Sequence, residues 1–407
     1  MFEAAPVIVG LEIGTSKICA MVGEVNAAGE VGVIGVGQAK SRGVRKGEIV
    51  DPGAAAEDIR NAIVDAEQMA DVEIRSVYLG VTGSHVHGFN NRGGHPVVSA
   101  DRDIVQADVD DVLKNAKAIN LPVANAVIHT IRQHFSVDGH GGIANPVGML
   151  GSRLEVDVHV IHGNYNRLQN PIRVVKGLQV DPETIAFNGL VSAMAILTNE
   201  QKELGALVID LGAGVTEYVV YAGGIIRHSG VLAVGGDHVT NDLAIGLKLP
   251  LARAEQLKLE HGSAIVGPNL KGATLTLASD LGLNDKTVNL EHLRRIMSLR
   301  LEEIFQLIAQ DLDKAGLLDF LRAGVVLCGG VARTPDLEQL AGNIFQLPVT
   351  ASQPCAVNGL ASALNQPEFA TAIGLVKYGA FQQQRQTARP SLVLSLANSF
   401  TSFFRRA

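Results

Sequence analysis

Two glycine-containing turns, each beside an acid at the end of an apolar strand, carry residues that could hold phosphate and a metal ion. They span residues 12–17 and 210–216, about half the chain apart. Glycine lets the backbone turn with its N–H groups facing outward, and such a nest attracts phosphate oxygens. The acids, Glu12 and Asp210, can hold Mg²⁺ directly or through water. Two such loops that face each other would clamp a triphosphate from both sides.

Other phosphate-binding motifs fit these turns less well. Residues 212–217 begin like the dinucleotide fingerprint but run into a second strand, whereas that fingerprint opens a helix. The sequence contains no Gly-Lys dipeptide, which excludes a Walker-type P-loop. Either turn alone is also consistent with an ordinary hairpin. Because the turns occur as a pair, we favour the phosphate clamp.

The composition limits the classes of protein that the chain can represent. A length of 407 residues predicts two or more domains. The net charge of −7 argues against a nucleic-acid partner. The three cysteines have no metal-binding spacing and suit a reducing cytosol. The N-terminus does not resemble a signal peptide, and no apolar run approaches the ~20 residues that span a bilayer. We therefore expect a cytoplasmic protein. The spacing of the histidines predicts no metal-binding cluster.

The elements around the two turns follow a similar order in both halves. After the first turn come further strands, a helix that Asp51 and Pro52 begin, and a strand at 77–81. The second half starts again at Ala206, and its helix follows Gly235 and Gly236. An internal duplication explains why the turn repeats.

Two further motifs could hold a nucleoside. Gly329, Gly330 and Val331 follow a buried strand, and backbone N–H groups there could approach a nucleoside or its α-phosphate. Glu255 and Lys258 share one helical face and could bond ribose hydroxyls and an adenine edge. Such a pair in isolation is ordinary surface chemistry. Its position between the second turn and the Gly-Gly loop favours the nucleoside interpretation.

With these motifs in place, the chain resembles the actin, Hsp70 and sugar-kinase ATPase superfamily. Residues 12–17 and 210–216 resemble its two phosphate motifs, and residues 328–332 resemble its adenosine motif. Within the superfamily, residues 10–15 are similar to the opening of the FtsA family of bacterial cell-division proteins. Residues 84–163 resemble the subdomain inserted in that family in place of the small lobe of actin.

The resemblance implies an α/β, duplicated actin-like ATPase fold with an interdomain nucleotide cleft and an inserted α+β subdomain. Residues 180–197 and 367–378 would form the two interdomain connecting helices. The predicted divisions are subdomain 1A (1–83, 164–204 and 345–381), an SHS2-like subdomain 1C (84–163), subdomain 2A (205–245 and 320–344), subdomain 2B (246–319), a linker (382–390) and a C-terminal helix (391–407).

The resemblance also implies ATP and Mg²⁺ as ligands, with Glu12 and Asp210 positioning the metal. The expected nucleotide contacts are Gly14, Thr15, Ser16, Lys17, Gly212, Ala213, Gly214, Val215, Thr216, Gly235, Gly236, Glu255, Lys258, Gly329, Gly330 and Val331. Ala213 stands where many relatives have glycine, and Glu217 replaces a frequent aspartate. Because no glutamine or histidine is placed to orient an attacking water, we expect at most slow hydrolysis and name no catalytic residue.

The C-terminal segment has the pattern of an interfacial amphipathic helix. Residues 382–390 are polar and predict a linker. Beyond them, one helical face and the two cations that follow would meet an anionic membrane: Val393, Leu396, Phe400, Phe403, Phe404, Arg405 and Arg406. Docking on the protein's own core or on another subunit is the alternative. A single helix this short would bind weakly, but a polymer would add affinities by avidity.

The resemblance implies a peripheral protein at the division site, on the cytoplasmic face of the inner membrane. It would polymerise with itself, bind the C-terminal tail of FtsZ and anchor the Z-ring, with Arg300 as the best candidate for a contact to that tail. Later divisome proteins would bind through subdomain 1C. The alternatives are a small-molecule kinase, for which we can assign no catalytic base, or another cytoskeletal or pilus-assembly ATPase of the same fold.

Overall fold

The computed structural model describes residues 7–26, 31–99, 101–277, 286–352, 358–359 and 364–387. Its strands are β1 (Val7–Ile13), β2 (Lys17–Val25), β3 (Val31–Lys40), β4 (Val44–Arg45), β5 (Glu48–Ile49), β6 (Ser76–Val81), β7 (His87–Pro96), β8 (Asn125–Val137), β9 (His140–Ile143), β10 (Arg153–Asn164), β11 (Asp181–Phe187), β12 (Ala206–Leu211), β13 (Thr216–Ala222), β14 (Ile225–Leu232), β15 (Thr274–Leu277), β16 (Lys286–Asn289), β17 (Val325–Cys328), β18 (Val349–Ala351) and β19 (Asn358–Gly359).

The α-helices are α1 (Pro52–Ala70), α2 (Gln106–Lys117), α3 (Tyr165–Gly177), α4 (Asn188–Ile196), α5 (Asn199–Leu204), α6 (Gly236–Leu247), α7 (Leu251–His261), α8 (Leu290–Lys314), α9 (Leu337–Phe345) and α10 (Ala370–Thr387). Short 3₁₀ segments lie at Pro268–Leu270, Leu318–Phe320, Gly330–Arg333 and Pro367–Phe369. None of the described helices is long and apolar enough to cross a bilayer.

The first domain is built on a mixed sheet in the order β11-β6-β1-β2-β3-β19. Helix α1 covers one face of it. As the sequence predicts, Asp51 caps this helix by accepting bonds from the backbone N–H groups of Gly53 and Ala54, and Pro52 occupies the first turn. Met69 continues the apolar spacing of this helix but is 53% exposed, because it lies in the last turn.

The second domain repeats this arrangement in a sheet of order β14-β13-β12-β17-β18. Strands β1 and β2 pair antiparallel with Glu12 opposite Cys19, and β12 and β13 pair with Asp210 opposite Glu217. In both domains the first strand also has a parallel neighbour, β6 or β17. The predicted duplicated fold is therefore confirmed.

Three predicted boundaries need correction. Strand β18 pairs with β17, so Val349–Ala351 belong to the second domain rather than to subdomain 1A. Residues 180–197 are not one helix, because Asp181–Phe187 form strand β11 before α4 begins. Helix α10 continues to Thr387, into the segment predicted as a linker. The predicted membrane helix, residues 391–407, lies outside the described residues.

Residues 87–164 form a separate module with a four-stranded sheet in the order β7-β10-β8-β9. Helix α2 packs against this sheet through Val109, Val112 and Ala116. Strand β10 alternates buried and half-buried positions only in its first half, because its second half is buried on both faces. The module is the α+β subdomain that the sequence predicts as an insertion in the first domain, at residues 84–163.

The inserted module contacts the edge strand of the second domain through a polar network. The imidazole of His159 is fully buried. Its Nε2 lies 2.8 Å from the Ser229 hydroxyl oxygen, and its Nδ1 lies 2.8 Å from the Asn90 side-chain oxygen. The Asn90 amide donates to the Arg227 carbonyl at 2.9 Å, and the Gln133 amide donates to the Ile226 carbonyl at 2.5 Å. These bonds cover part of the exposed edge of β14.

Buried neutral histidines predict that acid destabilises the fold. Burial lowers the pKa of His129, which accepts a bond from the Phe187 N–H, to about 4. An unfolded histidine has a pKa of about 6.5. Between these values the unfolded chain binds the proton and the folded chain does not, so stability is full above about pH 6.5 and falls towards pH 4.

We therefore expect the thermal midpoint of the wild type to fall relative to that of His129→Gln as pH drops from 7 to 5. Glutamine can accept the same bond from Phe187 but does not titrate. Differential scanning calorimetry on both proteins provides the comparison, and the pairwise difference cancels the contributions of other titrating groups. Parallel pH profiles would contradict the prediction.

Candidate nucleotide site between the two domains

The two predicted phosphate loops have the same local structure. Each is closed by one backbone bond of 3.0 Å, from Gly14 N–H to the Lys17 carbonyl in the first loop and from Gly212 N–H to the Val215 carbonyl in the second. Within the described part of the chain, the amides at the loop tips donate no hydrogen bond; these tips are Thr15, Ser16, Ala213 and Gly214. Free amides at a tight turn form the anion-binding nest that phosphate requires.

The structure brings the two loops face to face. A Cβ atom built on Gly214 would lie 2.5 Å from the Thr15 hydroxyl oxygen and 2.8 Å from the Lys46 Cα atom. Only glycine permits this approach. The N-terminus of α6 supports the second loop, because Gly236 and Asp237 donate backbone bonds to the carbonyls of Gly212 and Ala213.

Three buried carboxyl groups lie where the loops meet. Asp210 accepts bonds from the Ser192 hydroxyl at 2.6 Å and the Thr371 hydroxyl at 3.0 Å, one from each connecting helix. One carboxyl oxygen of Glu12 and one of Glu217 are buried without a hydrogen-bond partner among the described residues. Unpartnered buried oxygens of this kind are suited to a cation.

Burial disfavours the charged form of each of these groups. It raises the pKa of Glu12 to about 7, a rise that the charge of Lys17 opposes and that of Asp210 reinforces. Burial also raises the pKa of Asp210, against the hydroxyls that stabilise its charge. The pKa of Glu217 is raised well above its usual range by burial and by the charge of Asp210. A divalent cation here would reverse these shifts.

The donor set fits Mg²⁺ only together with phosphate or water. Among the described residues, no three acidic, histidine or cysteine side chains converge into a complete protein metal site. Mg²⁺ usually keeps several waters and binds through one or two carboxylates plus substrate phosphates. Glu12 and Asp210, beside two phosphate-binding loops, match that pattern.

Lys17 contacts the segment that leads into α10. Its ammonium donates to the Glu368 carbonyl and lies 4.4 Å from the centre of the Phe369 ring. Here Lys17 therefore links the first loop to the start of α10. The sequence pattern could not reveal this partner, because Glu368 lies 351 residues further along the chain.

The predicted nucleoside motifs converge around the start of α6. Lys258 pairs with Glu255 at 2.6 Å and donates to the Thr240 hydroxyl at 2.8 Å and to the Gly236 carbonyl at 3.2 Å. A Cβ on Gly236 would lie 2.9 Å from the Val331 side chain. The Glu255–Lys258 pair is thus part of an inward-facing network rather than a solvated surface pair.

Two parts of this arrangement escape sequence reasoning. Ser192 and Thr371 hold Asp210, and their only signal is a hydroxyl within an apolar stretch of helix. The turn at Lys46 and Gly47 also contacts the site, since the Gly47 N–H donates to the Thr15 hydroxyl at 3.0 Å. Its signal is a Lys-Gly pair between two short strands.

Arg300, the candidate contact for a partner peptide, is held within its own domain. Its guanidinium bonds both oxygens of Asp242, at 2.6 and 3.1 Å, and also contacts Glu303. The side chain remains 27% exposed. It lies on α8.

Comparison with known proteins agrees with this architecture. The family model described as cell division protein FtsA matches residues 207–374, and the model of the SHS2 domain inserted in FTSA matches residues 83–162. Solved structures with the same fold include the PilM-PilN type IV pilus biogenesis complex, with a TM-score of 0.65, 17% identity and coverage of 92% of this chain and 98% of that one. MreB5 of Spiroplasma citri bound to ADP has a TM-score of 0.58, 13% identity and coverage of 94% and 99%.

Curated relatives are similar over nearly the whole chain. The cell division protein FtsA of Pseudomonas aeruginosa is 35% identical over 94% of this chain and 91% of its own length. That of Neisseria meningitidis is 37% identical over 90% and 88%, and that of Escherichia coli K12 is 35% identical over 91% and 90%. On this evidence, the chain belongs to the FtsA family of actin-like cell-division proteins.

Proposed function

We propose that this protein binds ATP with Mg²⁺ in the cleft between its two domains and, in that state, polymerises on the membrane at the division site. The observation that carries the nucleotide proposal is the direct contact between the two loops, with their free amides and buried carboxyl groups. ATP that bridges these loops would bias the domains towards one closed arrangement. Solved structures of MreB5 with the same fold contain ADP or AMPPNP.

Different groups of residues would bind the phosphates and the nucleoside. Amides of residues 14–17 and 212–216 hold the phosphates, and the amides of Gly235 and Gly236 add to the second loop. Glu255, Lys258 and residues 329–331 hold the nucleoside. Mg²⁺, when bound beside Glu12 and Asp210, would neutralise phosphate charge. The hydroxyls of Ser192 and Thr371 keep the Asp210 carboxylate oriented. We expect hydrolysis to be slow at most.

The proposal extends to a tether between the membrane and FtsZ filaments on the cytoplasmic face of the inner membrane. Residues 391–407 would supply an amphipathic helix for anionic lipid, and polymerisation would multiply its weak affinity. The C-terminal tail of FtsZ would bind the second domain near Arg300, whose Asp242 partner leaves an exposed edge for an acidic peptide. Later divisome proteins would bind the inserted module, within residues 84–163.

Liposome co-sedimentation tests the tether. The full chain and a version that ends at Arg389 are each mixed with anionic vesicles and ATP, with and without FtsZ. We expect the full chain to pellet with the vesicles and to bring FtsZ with it, while the shortened chain stays in the supernatant. The tether would be rejected if both versions pelleted equally little with and without FtsZ. Neutral vesicles serve as the control for the two arginines.

A further inference from the structure

A short hairpin turn carries two cations against both phosphate loops. Strands β4 and β5 pair with Arg45 opposite Glu48, and the turn between them holds Lys46 and Gly47 in left-handed conformations, with φ of 51° and 75°. A non-glycine residue is uncommon in this region. Residues 45–47 belong neither to the predicted phosphate motifs nor to the predicted nucleoside motifs.

The turn contacts each loop at its tip. Gly47 donates its backbone N–H to the Thr15 hydroxyl in the first loop at 3.0 Å. In the second loop, Gly214 is so close that a Cβ there would lie 2.8 Å from the Lys46 Cα and 2.9 Å from the Lys46 nitrogen. A phosphate held between the loop tips must therefore lie beside this turn.

Both cations of the turn are exposed and available. The side chains of Arg45 and Lys46 make no hydrogen bond or ion pair with any part of the chain that the structure describes. They lie close enough to the start of α6 to act on its charges. Arg45 opposes the rise that burial causes in the pKa of Asp237, and Lys46 adds to the fall that burial causes in the pKa of His238.

The other lysines of the site are already engaged. Lys17 donates to the Glu368 carbonyl, and Lys258 is paired with Glu255. A triphosphate brings several negative charges into a cleft that already contains three carboxyl groups. Charge-assisted bonds to phosphate are roughly twice as strong as neutral ones. The two cations of the turn, whose backbone contacts both loop tips, could supply such bonds.

We propose that Arg45 and Lys46 bind the terminal phosphate of the nucleotide, so that this turn distinguishes a nucleoside triphosphate from a diphosphate. The inference rests on the proposed nucleotide site and adds a recognition element to it. Because the turn also contacts loops from both domains, a phosphate that it holds would favour the closed arrangement. A diphosphate lacks the terminal phosphate and would leave the two cations in solvent.

The test is a double variant, Arg45→Gln and Lys46→Asn, in the full chain. Asparagine is chosen because it tolerates the left-handed conformation that Lys46 adopts. Affinities for AMPPNP and ADP, both with Mg²⁺, are measured by isothermal titration calorimetry at one fixed salt concentration. We expect the affinity for AMPPNP to fall at least ~10-fold, the size of one lost charge-assisted bond, and that for ADP to change less than ~3-fold.

A matched control removes two other exposed cations, as Arg60→Gln and Lys176→Asn, on helices α1 and α3. It has the same change in net charge and should bind both nucleotides like the wild type. Thermal midpoints of all three proteins report whether the turn variant is folded. Equal losses for AMPPNP and ADP, or no loss for either, would overturn the proposed role of the turn. A wild type that binds neither nucleotide would overturn the nucleotide site itself, and the inference with it.

Discussion

Gly374→Ala is expected to destabilise the protein by about 3 kcal/mol, although it adds one methyl group to a helix and alanine is the better helix former. Gly374 lies in α10 where this helix crosses α4. A Cβ there would lie 1.9 Å from the Val191 carbonyl oxygen and 2.4 Å from its carbon. Both atoms belong to the backbone, so no side-chain rotation can relieve the clash. The two helices would have to move apart.

The same change at Gly177 is the matched control. Gly177 ends helix α3, and no atom lies within 4 Å of its Cβ position. Gly177→Ala should therefore leave stability unchanged or raise it by up to ~1 kcal/mol. Thermal unfolding of both variants measures the contrast, with an expected fall of roughly 6 °C for Gly374→Ala. If the two variants unfolded within a degree of each other, α4 and α10 could not be packed as closely as described.

This helix crossing also determines the chemistry of the cleft. Ser192 follows Val191 on α4, and Thr371 is three residues before Gly374 on α10; their hydroxyls converge on one oxygen of Asp210. A wider crossing would pull both hydroxyls from the carboxylate. We therefore expect Gly374→Ala to weaken nucleotide binding as well as stability, although no atom of residue 374 contacts the site.

Local sequence signals predicted those parts of the site that depend on a turn or a cap. The loops at Gly14 and Gly212, the helix start at Asp51 and the duplicated strand order are all set by residues close together in the chain. Thr334, Pro335 and Asp336 also have the residue types of a helix start, but α9 begins at Leu337 instead. The reason is tertiary, because Asp336 adopts a φ of 62° and its carboxylate accepts a bond from the Ser263 hydroxyl at 2.6 Å.

The parts that the sequence did not reveal depend on contacts between distant segments. No sequence signal near Lys17 indicates its bond to Glu368, and none near β18 indicates that this strand joins the second sheet, because both contacts depend on how the domains pack. The turn at Lys46 shows the same limit. Its own Lys-Gly pattern predicts a hairpin turn. That the turn lines the cleft depends on the approach of Gly214 from the other domain.

Gly214→Val is expected to reduce the affinity for ATP at least ~100-fold while the protein stays folded. Beyond its Cβ, valine carries two further methyl groups into a space that the Thr15 hydroxyl and the Lys46 backbone already fill. Because these neighbours belong to the first domain, the side chain would act as a wedge and hold the loops apart. Two phosphate contacts of ~1.5 kcal/mol each, lost together, correspond to this change in affinity.

The matched control is Gly141→Val, in strand β9 of the inserted module, where no atom lies within 4 Å of the Cβ position. It should bind ATP like the wild type. Fluorescence titration with a labelled ATP analogue gives the affinities, and circular dichroism checks that both variants are folded. Since the wedge acts on the domain interface, Gly214→Val should weaken ADP as well, unlike the variants of the Arg45–Lys46 turn. A folded Gly214→Val protein with wild-type affinity would place the nucleotide elsewhere, because a ligand clamped between these loops cannot tolerate their separation.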